Sequence, residues 1–382
     1  MSDGFSTRAI RAGQDPDALY GAVVPPIWMT STFVQDGVGN LRGGYEYSRT
    51  GNPTRDATGV QLAALEGGRR AFLTSSGLSA TDLVLRGTLG PGGRVLLGED
   101  AYGGTTRLLT QVLAGWDVET VTVDQTSDEA LERALTPPAA GGVVVWLETP
   151  SNPLLQVADI AAVAGVAHAH GARLVVDNTF ASPYLQQPLA LGADLVVHSA
   201  TKYLGGHSDL VGGAIVVNDE ELAEHFAFLQ NAAGYVTSPF DAWLMMRGMK
   251  TLAVRMERHC ANALAVARFL ADDPRVSAVH YPGLPEDPGH EVAARQMRGF
   301  GGMVSVHVAG GRDRALQVAA STRVFLLAES LGGVESLVEH PEAMTHAAVR
   351  GTAGAPDPDL LRLSVGIEDI DDLLADLDRA LG

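Results

Sequence analysis

A single cysteine, Cys260, stands in 382 residues. A disulfide within the chain is therefore impossible, and a zinc centre built on several thiolates has no ligands to draw on. Positive charge is also scarce: 27 Lys and Arg face 45 Asp and Glu, a formal net charge of −18. That balance argues against a general binder of nucleic acid or anionic membrane, and an anionic substrate would have to be met by charge concentrated locally. No apolar run approaches membrane-spanning length, and the opening stretch MSDGFSTRAIRAGQD has no apolar signal region. The expectation is a soluble, cytoplasmic protein. Aromatic residues are only 6% of the chain, which leaves Ala, Val and Leu to fill the core.

At 382 residues the chain exceeds what one hydrophobic core usually serves, so a larger and a smaller domain are expected. Residues 1–55 are rich in Gly, Pro, Thr and Arg with little periodicity, the texture of an extended arm with loops. Helical patterning begins beyond Asn52-Pro53-Thr54, where Asn52 or Thr54 offers a cap, and stops at Leu65-Glu66-Gly67-Gly68. A rhythm of short β-rich runs follows, at Arg94–Leu97, Val118–Val123, Val143–Leu147, Leu174–Val176, Leu195–Val197 and Ala214–Val217. Helical stretches lie between several of them, at Thr106–Ala114, Asp128–Leu135 and Ile160–His170. Such alternation predicts parallel strands joined by crossovers, and the near-continuous apolar runs predict a sheet covered on both faces. This larger domain is expected over 56–240. From 241 to 382 a smaller α/β domain is expected. It begins with a long helical stretch from about Phe240 to Leu270, whose Met245, Met246 and Met249 read as core packing. Strands are expected around Ser277–Tyr281, Met303–Val308, Arg323–Leu327 and Leu361–Val365, and an amphipathic helix over Ile370–Leu381.

In sheets of this kind ligands bind beyond the carboxyl ends of the strands. After Val143–Leu147 comes ETPSNP, Glu148 to Pro153; after Leu174–Val176 comes Asp177-Asn178; after Leu195–Val197 comes His198-Ser199-Ala200-Thr201-Lys202. Singly, each is ordinary: an Asp after a strand is usually a turn or cap residue, and a lone lysine is usually solvated. Together they collect an acid, an amide, two hydroxyls and a lysine along one edge. Upstream, TSSGLSATDLVLRG starts at Thr74 and turns helical near Ser79. Hydroxyls and a glycine at a helix start make an anion site, because free N–H groups and the helix dipole both favour a phosphate. No Gly-Lys-Ser/Thr follows it, so it is not a Walker loop, and no G-x-G-x-x-G fingerprint is present there.

These residues suit one cofactor. A lysine amine condenses with an aldehyde, and pyridoxal 5'-phosphate (PLP) carries an aldehyde, a phosphate and a ring nitrogen that needs an acid to stay protonated. Lys202, the Gly77 helix start with Ser199 and Thr201, and Asp177 meet those needs in turn. Tyr102, in DAYGGTTR, is placed to stack on a ring and to move protons.

The stretches YEYSRTGNPTR, SSGLSATD, DAYGGTTR, ETPSNPLL, VVDNTFASP, HSATKYLGGHSD, LAESLGGVESL and RLSVGIED, in this order, resemble the γ-family of PLP enzymes of transsulfuration in Cys/Met metabolism. The resemblance covers essentially the whole chain. It implies PLP fold type I (aspartate-aminotransferase-like), with a mainly parallel central sheet and a smaller C-terminal α/β domain. It also implies a homotetramer, a dimer of dimers whose sites are shared across the dimer interface. Residue by residue, Lys202 resembles the lysine that carries the cofactor, Asp177 the partner of the pyridine nitrogen, and Tyr102 the stacking tyrosine. Gly77, Leu78, Ser199 and Thr201 match the phosphate cradle. Tyr47 and Arg49 match a pair that reaches the phosphate from the neighbouring subunit, which would explain the polar arm. Arg362, Ser330 and Asn152 resemble the groups around the substrate α-carboxylate and cofactor; the planar fork of Arg suits a carboxylate. Arg107 and Glu329, and after them Glu148, are candidates for the distal part of the substrate. The implied chemistry uses Lys202 as the base at Cα, which requires its pKa to be lowered.

Within the family, methionine γ-lyases typically carry a cysteine where YGGT has Gly104, which disfavours methionine as substrate. Cystathionine β-lyases usually carry a tryptophan-containing motif where this chain reads ESLGG. The expected reaction is that of a cystathionine γ-lyase, γ-elimination of L-cystathionine to cysteine, 2-oxobutyrate and ammonia. The alternative is cystathionine γ-synthase, γ-replacement on an O-acylhomoserine by cysteine. Other classes fit less well. A Ser-His-Asp hydrolase on His207-Ser208-Asp209 would need three consecutive residues to converge, and no G-x-S-x-G elbow is present. A metal enzyme finds no H-E-x-x-H among the 11 histidines, and His168 and His170 lie two apart on opposite sides of a helix. No metal is expected in the site. A non-catalytic scaffold would be expected to have lost the lysine, the Asp or the carboxylate arginine, and all three are present.

Overall fold

The structure is a computed structural model that describes residues 3–345 and 355–382. Asn52 opens the first long helix, Pro53–Glu66: its side chain accepts the N–H groups of Thr54 and Arg55, Pro53 sits at the first helical position, and Gly67 closes the helix in the left-handed region. Ahead of it the chain is mostly irregular, with a short helix at Phe5–Arg11 and a hairpin of β1 (Gln35–Gly37) and β2 (Asn40–Leu41).

The main sheet has seven strands: β3 (Arg70–Thr74), β4 (Gly93–Gly98), β5 (Val118–Val123), β6 (Val143–Glu148), β7 (Arg173–Asp177), β8 (Leu195–Ser199) and β9 (Gly213–Val217). Their spatial order is β3-β9-β8-β7-β6-β4-β5. The pairs β5–β4, β4–β6, β6–β7 and β7–β8 are parallel, as the alternating pattern predicts. Strand β9 runs antiparallel to both β8 and β3. A parallel return to the sheet needs a crossover, usually a helix; residues 200–212 form only turns and loop, so the chain folds straight back. Lys202 rides on that fold-back. Both faces of the sheet are covered, and alternate residues serve opposite cores: Val144 and Trp146 join one cluster, Val145 and Leu147 the other. Strand β3 and the helix Glu220–Ala233 against its face have no counterpart in the sequence-based expectation.

The expected long helix from Phe240 to Leu270 is two helices, Pro239–Met249 and Leu252–Ala271. The carbonyl of Gly248 is claimed by the Thr251 hydroxyl and amide and by Nη2 of Arg255, so the helical ladder breaks there. Met245, Met246 and Met249 are buried core residues, at 3%, 1% and 0% exposure. The second sheet comprises β10 (Val276–His280), β11 (Met303–Val308), β12 (Leu326–Leu327), β13 (Leu337–Glu339) and β14 (Leu360–Ser364), in the order β10-β11-β14-β13-β12. The strand expected at Arg323–Leu327 shrinks to two residues. The Asp376 carboxylate, on the C-terminal helix Ile370–Leu381, takes the N–H groups of Arg323, Val324 and Phe325 that a ladder would have used. The expected helix at Thr106–Ala114 begins earlier, at Gly103, and widens into a π-helical turn over Leu108–Val112. Among the described residues, no helix is long and apolar enough to cross a membrane.

Beneath the carboxyl ends of β7 and β8 lies a buried polar network. Glu66 Oε1 meets His198 Nε2 at 2.5 Å and accepts from Asn178 Nδ2 at 2.8 Å; Asn178 also donates to the carbonyl of Gln186. Glu66 and His198 have 0% and 1% of their side chains exposed. Removing one partner leaves the others desolvated and unpaired. Glu66→Ala is therefore expected to lower unfolding free energy by about 3 kcal/mol, read from chemical denaturation with the cofactor present.

Candidate active site

A cavity of about 310 Å³ opens where the carboxyl ends of β6, β7 and β8 meet the loops of the second domain. Its floor is built by register. Glu148, last in β6, lies opposite Asp177, last in β7, so two acids sit side by side. Asp177 Oδ1 accepts the amide of Thr179 at 3.0 Å, and Thr179 in turn holds the amide of Ser199 through its hydroxyl. Burial raises the pKa of both acids, and for Glu148 the neighbouring Asp177 raises it further.

Lys202 enters from the fold-back after β8. Its Nζ donates to Ser330 Oγ at 2.7 Å, and burial, with Arg362 second, lowers its pKa to about 8 against the pull of Glu339 and Glu329. Ser330 holds φ at 102°, a costly conformation for a residue with a Cβ, and so presents its hydroxyl to the lysine. Arg362, on β14, completes this corner. Its Nη1 donates to Asn152 Oδ1 at 2.7 Å, its Nη2 to the Ser330 carbonyl at 3.0 Å, and Nη2 also pairs with Glu339 at 2.9 Å. Glu339 and Arg362 are cross-strand neighbours on β13 and β14. Asn152 is held there because Asp100 accepts from Ser151 and from the amide of Leu154, fixing the loop between them.

On the far wall, Ser76 caps the helix Gly77–Thr88 by accepting the amide of Ser79. The amides of the first turn, at Gly77 and Leu78, have no helical partners and face Ser199 and Thr201 around the cavity. A Cβ at Gly77 would stand 2.9 Å from that of Ser199, so this approach needs glycine. Tyr102 leans over the same space, its amide donating to Glu148 Oε2 at 2.9 Å. A Cβ at Gly104 would come within 2.4 Å of the Tyr102 ring, so Gly104 sets where that ring lies.

Of the residues singled out from the sequence, Lys202, Asp177, Tyr102, Gly77, Leu78, Ser199, Thr201, Asn152, Arg362, Ser330 and Glu329 line this one cavity. Glu148 lines it too, but its Oε2 serves the Tyr102 backbone. Arg107 is exposed, outside the lining, and acts on Tyr102 by its charge. Tyr47 and Arg49 lie apart, on a separate open depression with Ser31 and Pro239; Arg49 stands over the Tyr47 ring and donates to the Asn231 carbonyl. Two further residues escaped the sequence analysis. Thr179 carries no signal beyond its place after Asp177, and Glu339 none at all, since only strand pairing sets it against Arg362. Neither His207-Ser208-Asp209 nor His168 and His170 build a centre: His207 bonds the Gly205 carbonyl, Ser208 donates to Glu335, His168 meets Asp194 and His170 the Val166 carbonyl.

A family model described as Cys/Met metabolism PLP-dependent enzyme matches residues 6–382. The chain is 61% identical over 379 residues to the cystathionine gamma-synthase of Mycobacterium tuberculosis, covering 99% of this chain and 97% of that protein. It is 50% identical over 381 residues to the cystathionine gamma-lyase of Dictyostelium discoideum, covering 99% and 97%. The crystal structure of cystathionine gamma synthase from Xanthomonas oryzae pv. oryzae in complex with aminoacrylate and cysteine superposes with a TM-score of 0.95 at 48% identity, covering 100% of this chain and 98% of that one.

The lowered pKa of Lys202 can be read directly. In protein freed of cofactor, its modification by an amine reagent is expected to rise with a midpoint near pH 8. Mass spectrometry of the Lys202 peptide measures it, with Lys250, the other lysine of the chain, followed in parallel. A midpoint above pH 10 would show that burial does not set the proton affinity of Nζ.

Proposed function

The chain belongs to the Cys/Met metabolism PLP-dependent enzymes, and we propose that it works at the γ-carbon of its substrate, joining cysteine to an activated homoserine ester as a cystathionine γ-synthase. Pyridoxal phosphate is the cofactor of this family, and the cavity suits it. Asp177 is buried at the cavity floor and, among the described residues, closes no ion pair; a protonated ring nitrogen is the cation it lacks. The first-turn amides of Gly77 and Leu78, with Ser199 and Thr201, offer donors to a phosphate.

The observation that carries the proposal is the chain of hydrogen bonds that links Lys202, Ser330, Arg362 and Asn152 in the cavity that Asp177 also lines. When bound, pyridoxal phosphate supplies a sink for the electrons that leave Cα. Asp177 would hold the proton on the ring nitrogen, and Tyr102 would stack on the ring. Arg362 binds the α-carboxylate; its Nε is buried without a hydrogen-bond partner among the described residues, a donor left over for that task. Lys202 Nζ, lowered to about 8, takes the Cα proton at near-neutral pH and delivers a proton further along the substrate.

The sequence alone favoured the γ-lyase. The 61% identity along nearly the whole length to a protein named cystathionine gamma-synthase is what supports the synthase. The lyase is kept as second choice, supported by the D. discoideum relative. Methionine is disfavoured because Gly104 stands where methionine γ-lyases typically carry a cysteine.

The deciding experiment offers purified, PLP-loaded enzyme two mixtures. With O-succinylhomoserine or O-acetylhomoserine plus cysteine, cystathionine is expected as the main product. With cystathionine alone, little 2-oxobutyrate is expected; equal 2-oxobutyrate and cysteine at the higher rate would make the enzyme a lyase, and pyruvate with homocysteine would place cleavage at Cβ. Lys202→Ala is expected to lose the visible cofactor band and to slow turnover by about a thousandfold or more.

Tyr47 and Arg49 are proposed to reach the phosphate of a neighbouring subunit in a homotetramer, consistent with their exposure away from their own cavity. Arg49→Ala should then weaken PLP retention about tenfold. Cofactor affinity by equilibrium dialysis, with oligomeric state checked by light scattering, tests this; unchanged affinity in an intact oligomer would remove the role.

A further inference from the structure

Away from the cavity, the edge of the second sheet gathers four groups that metal ions favour. We propose that His280, His307 and Asp357 form a binding site for a divalent transition-metal ion of the zinc class, with Asp359 orienting His307 from behind. None of the four lines the active-site cavity, so the proposal is independent of the reaction assigned above.

The site follows from strand register. On β10 and β11, Ala278 lies opposite His307 and His280 opposite Ser305, which makes His280 and His307 diagonal neighbours on one face. On the other side His307 lies opposite Leu360, the first residue of β14, so Asp357 and Asp359 arrive beside it. Ligand atoms of His307, Asp357 and Asp359 all lie within 4.8 Å of one another.

The hydrogen bonds set the tautomer. His307 Nδ1 lies 2.8 Å from Asp359 Oδ1. A carboxylate accepts, so Nδ1 carries the hydrogen and Nε2 is left with a lone pair. Such carboxylate–histidine pairing is the usual support of a metal-bound imidazole. That Nε2 accepts a hydrogen bond from Nε2 of His280, 3.1 Å away, with the rings inclined at 60°; a metal ion would take the place of the shared hydrogen, His280 carrying its proton on Nδ1 instead. Two nitrogens each about 2.0–2.1 Å from one zinc ion lie roughly 2.9–3.4 Å apart at angles from octahedral to tetrahedral. The pair is therefore already at chelating distance. Asp357, exposed and grouped with His307 and Asp359 within 4.8 Å, would turn in from the solvent side to add an oxygen ligand, where water can complete the shell. An ion here would tie β10, β11 and the segment entering β14 together, on the strand that carries Arg362.

The test is titration calorimetry of the PLP-loaded full chain, stripped by a chelator, with zinc chloride. One zinc ion per chain is expected. His280→Ala and His307→Ala should each weaken this binding at least tenfold, and Asp359→Asn, which leaves the ligand set intact, by about 10- to 100-fold. Asp357→Asn, at an exposed position that folding does not need, should also weaken it about tenfold. Circular dichroism of each variant checks the fold, and anomalous diffraction at the zinc edge should place the ion between the two Nε2 atoms. Absence of binding, or affinity unchanged in His280→Ala or in Asp357→Asn, would overturn the proposal and leave the two imidazoles sharing only a hydrogen bond.

Discussion

The site depends first on one contact between its two halves: Lys202 Nζ against Ser330 Oγ, 2.7 Å apart and 128 residues apart in the chain. The lysine can be there because β8 and β9 are antiparallel neighbours with no crossover helix between them. The fold-back that makes them so delivers Lys202 into the cavity. The strand-end loop is then locked from the other side by Arg255, whose Nη1 takes the Tyr203 carbonyl and whose Nη2 takes that of Gly248. The same bond to Gly248 helps divide the long helical stretch in two. Local helix propensity thus yields to the need to hold the lysine loop, and the strained φ of Ser330 is met on its partner side.

Charge is arranged against this contact. The chain as a whole carries −18, yet Lys202 and Arg362 stand together in one cavity. Arg362 alone would lower the lysine further; Glu339, paired with Arg362 at 2.9 Å, and Glu329 at the rim oppose it. Two acids on the floor, Glu148 and Asp177, share a patch in which burial opposes their ionisation. Under the proposed function, a cationic ring nitrogen would give Asp177 a partner, while Glu148 holds the Tyr102 backbone amide.

Much of this was legible in the chain, for definable reasons. The helix Pro53–Glu66 is bounded by a side-chain cap and a left-handed glycine, both local effects. The strands Val118–Val123 and Met303–Val308 and the helix Ile370–Leu381 follow from hydrophobic period alone. Lys202, Asp177, Ser199 and Thr201 stand out because ligands in such sheets bind past strand ends. Another signal was overlooked: of 27 basic residues only two are lysines, Lys202 and Lys250, so a lysine here already asks for an explanation. The strand expected at Arg323–Leu327 is cut back to Leu326–Leu327 for a remote reason, since Asp376 takes the amides of Arg323 to Phe325 from a helix more than fifty residues on.

The order of residues by itself determined the alternation of strands and helices, the caps, the apolar faces and the placing of an acid, hydroxyls and a lysine after successive strands, because these depend on neighbours a few positions away. Only the tertiary structure decided that Glu339 would face Arg362, that Glu66 would lie under His198 and Asn178, that Arg107 would stay outside the cavity, and that His280 and His307 would meet beside Asp357 and Asp359. Those meetings are made by strand register and by packing between segments far apart in sequence, and no local preference encodes them.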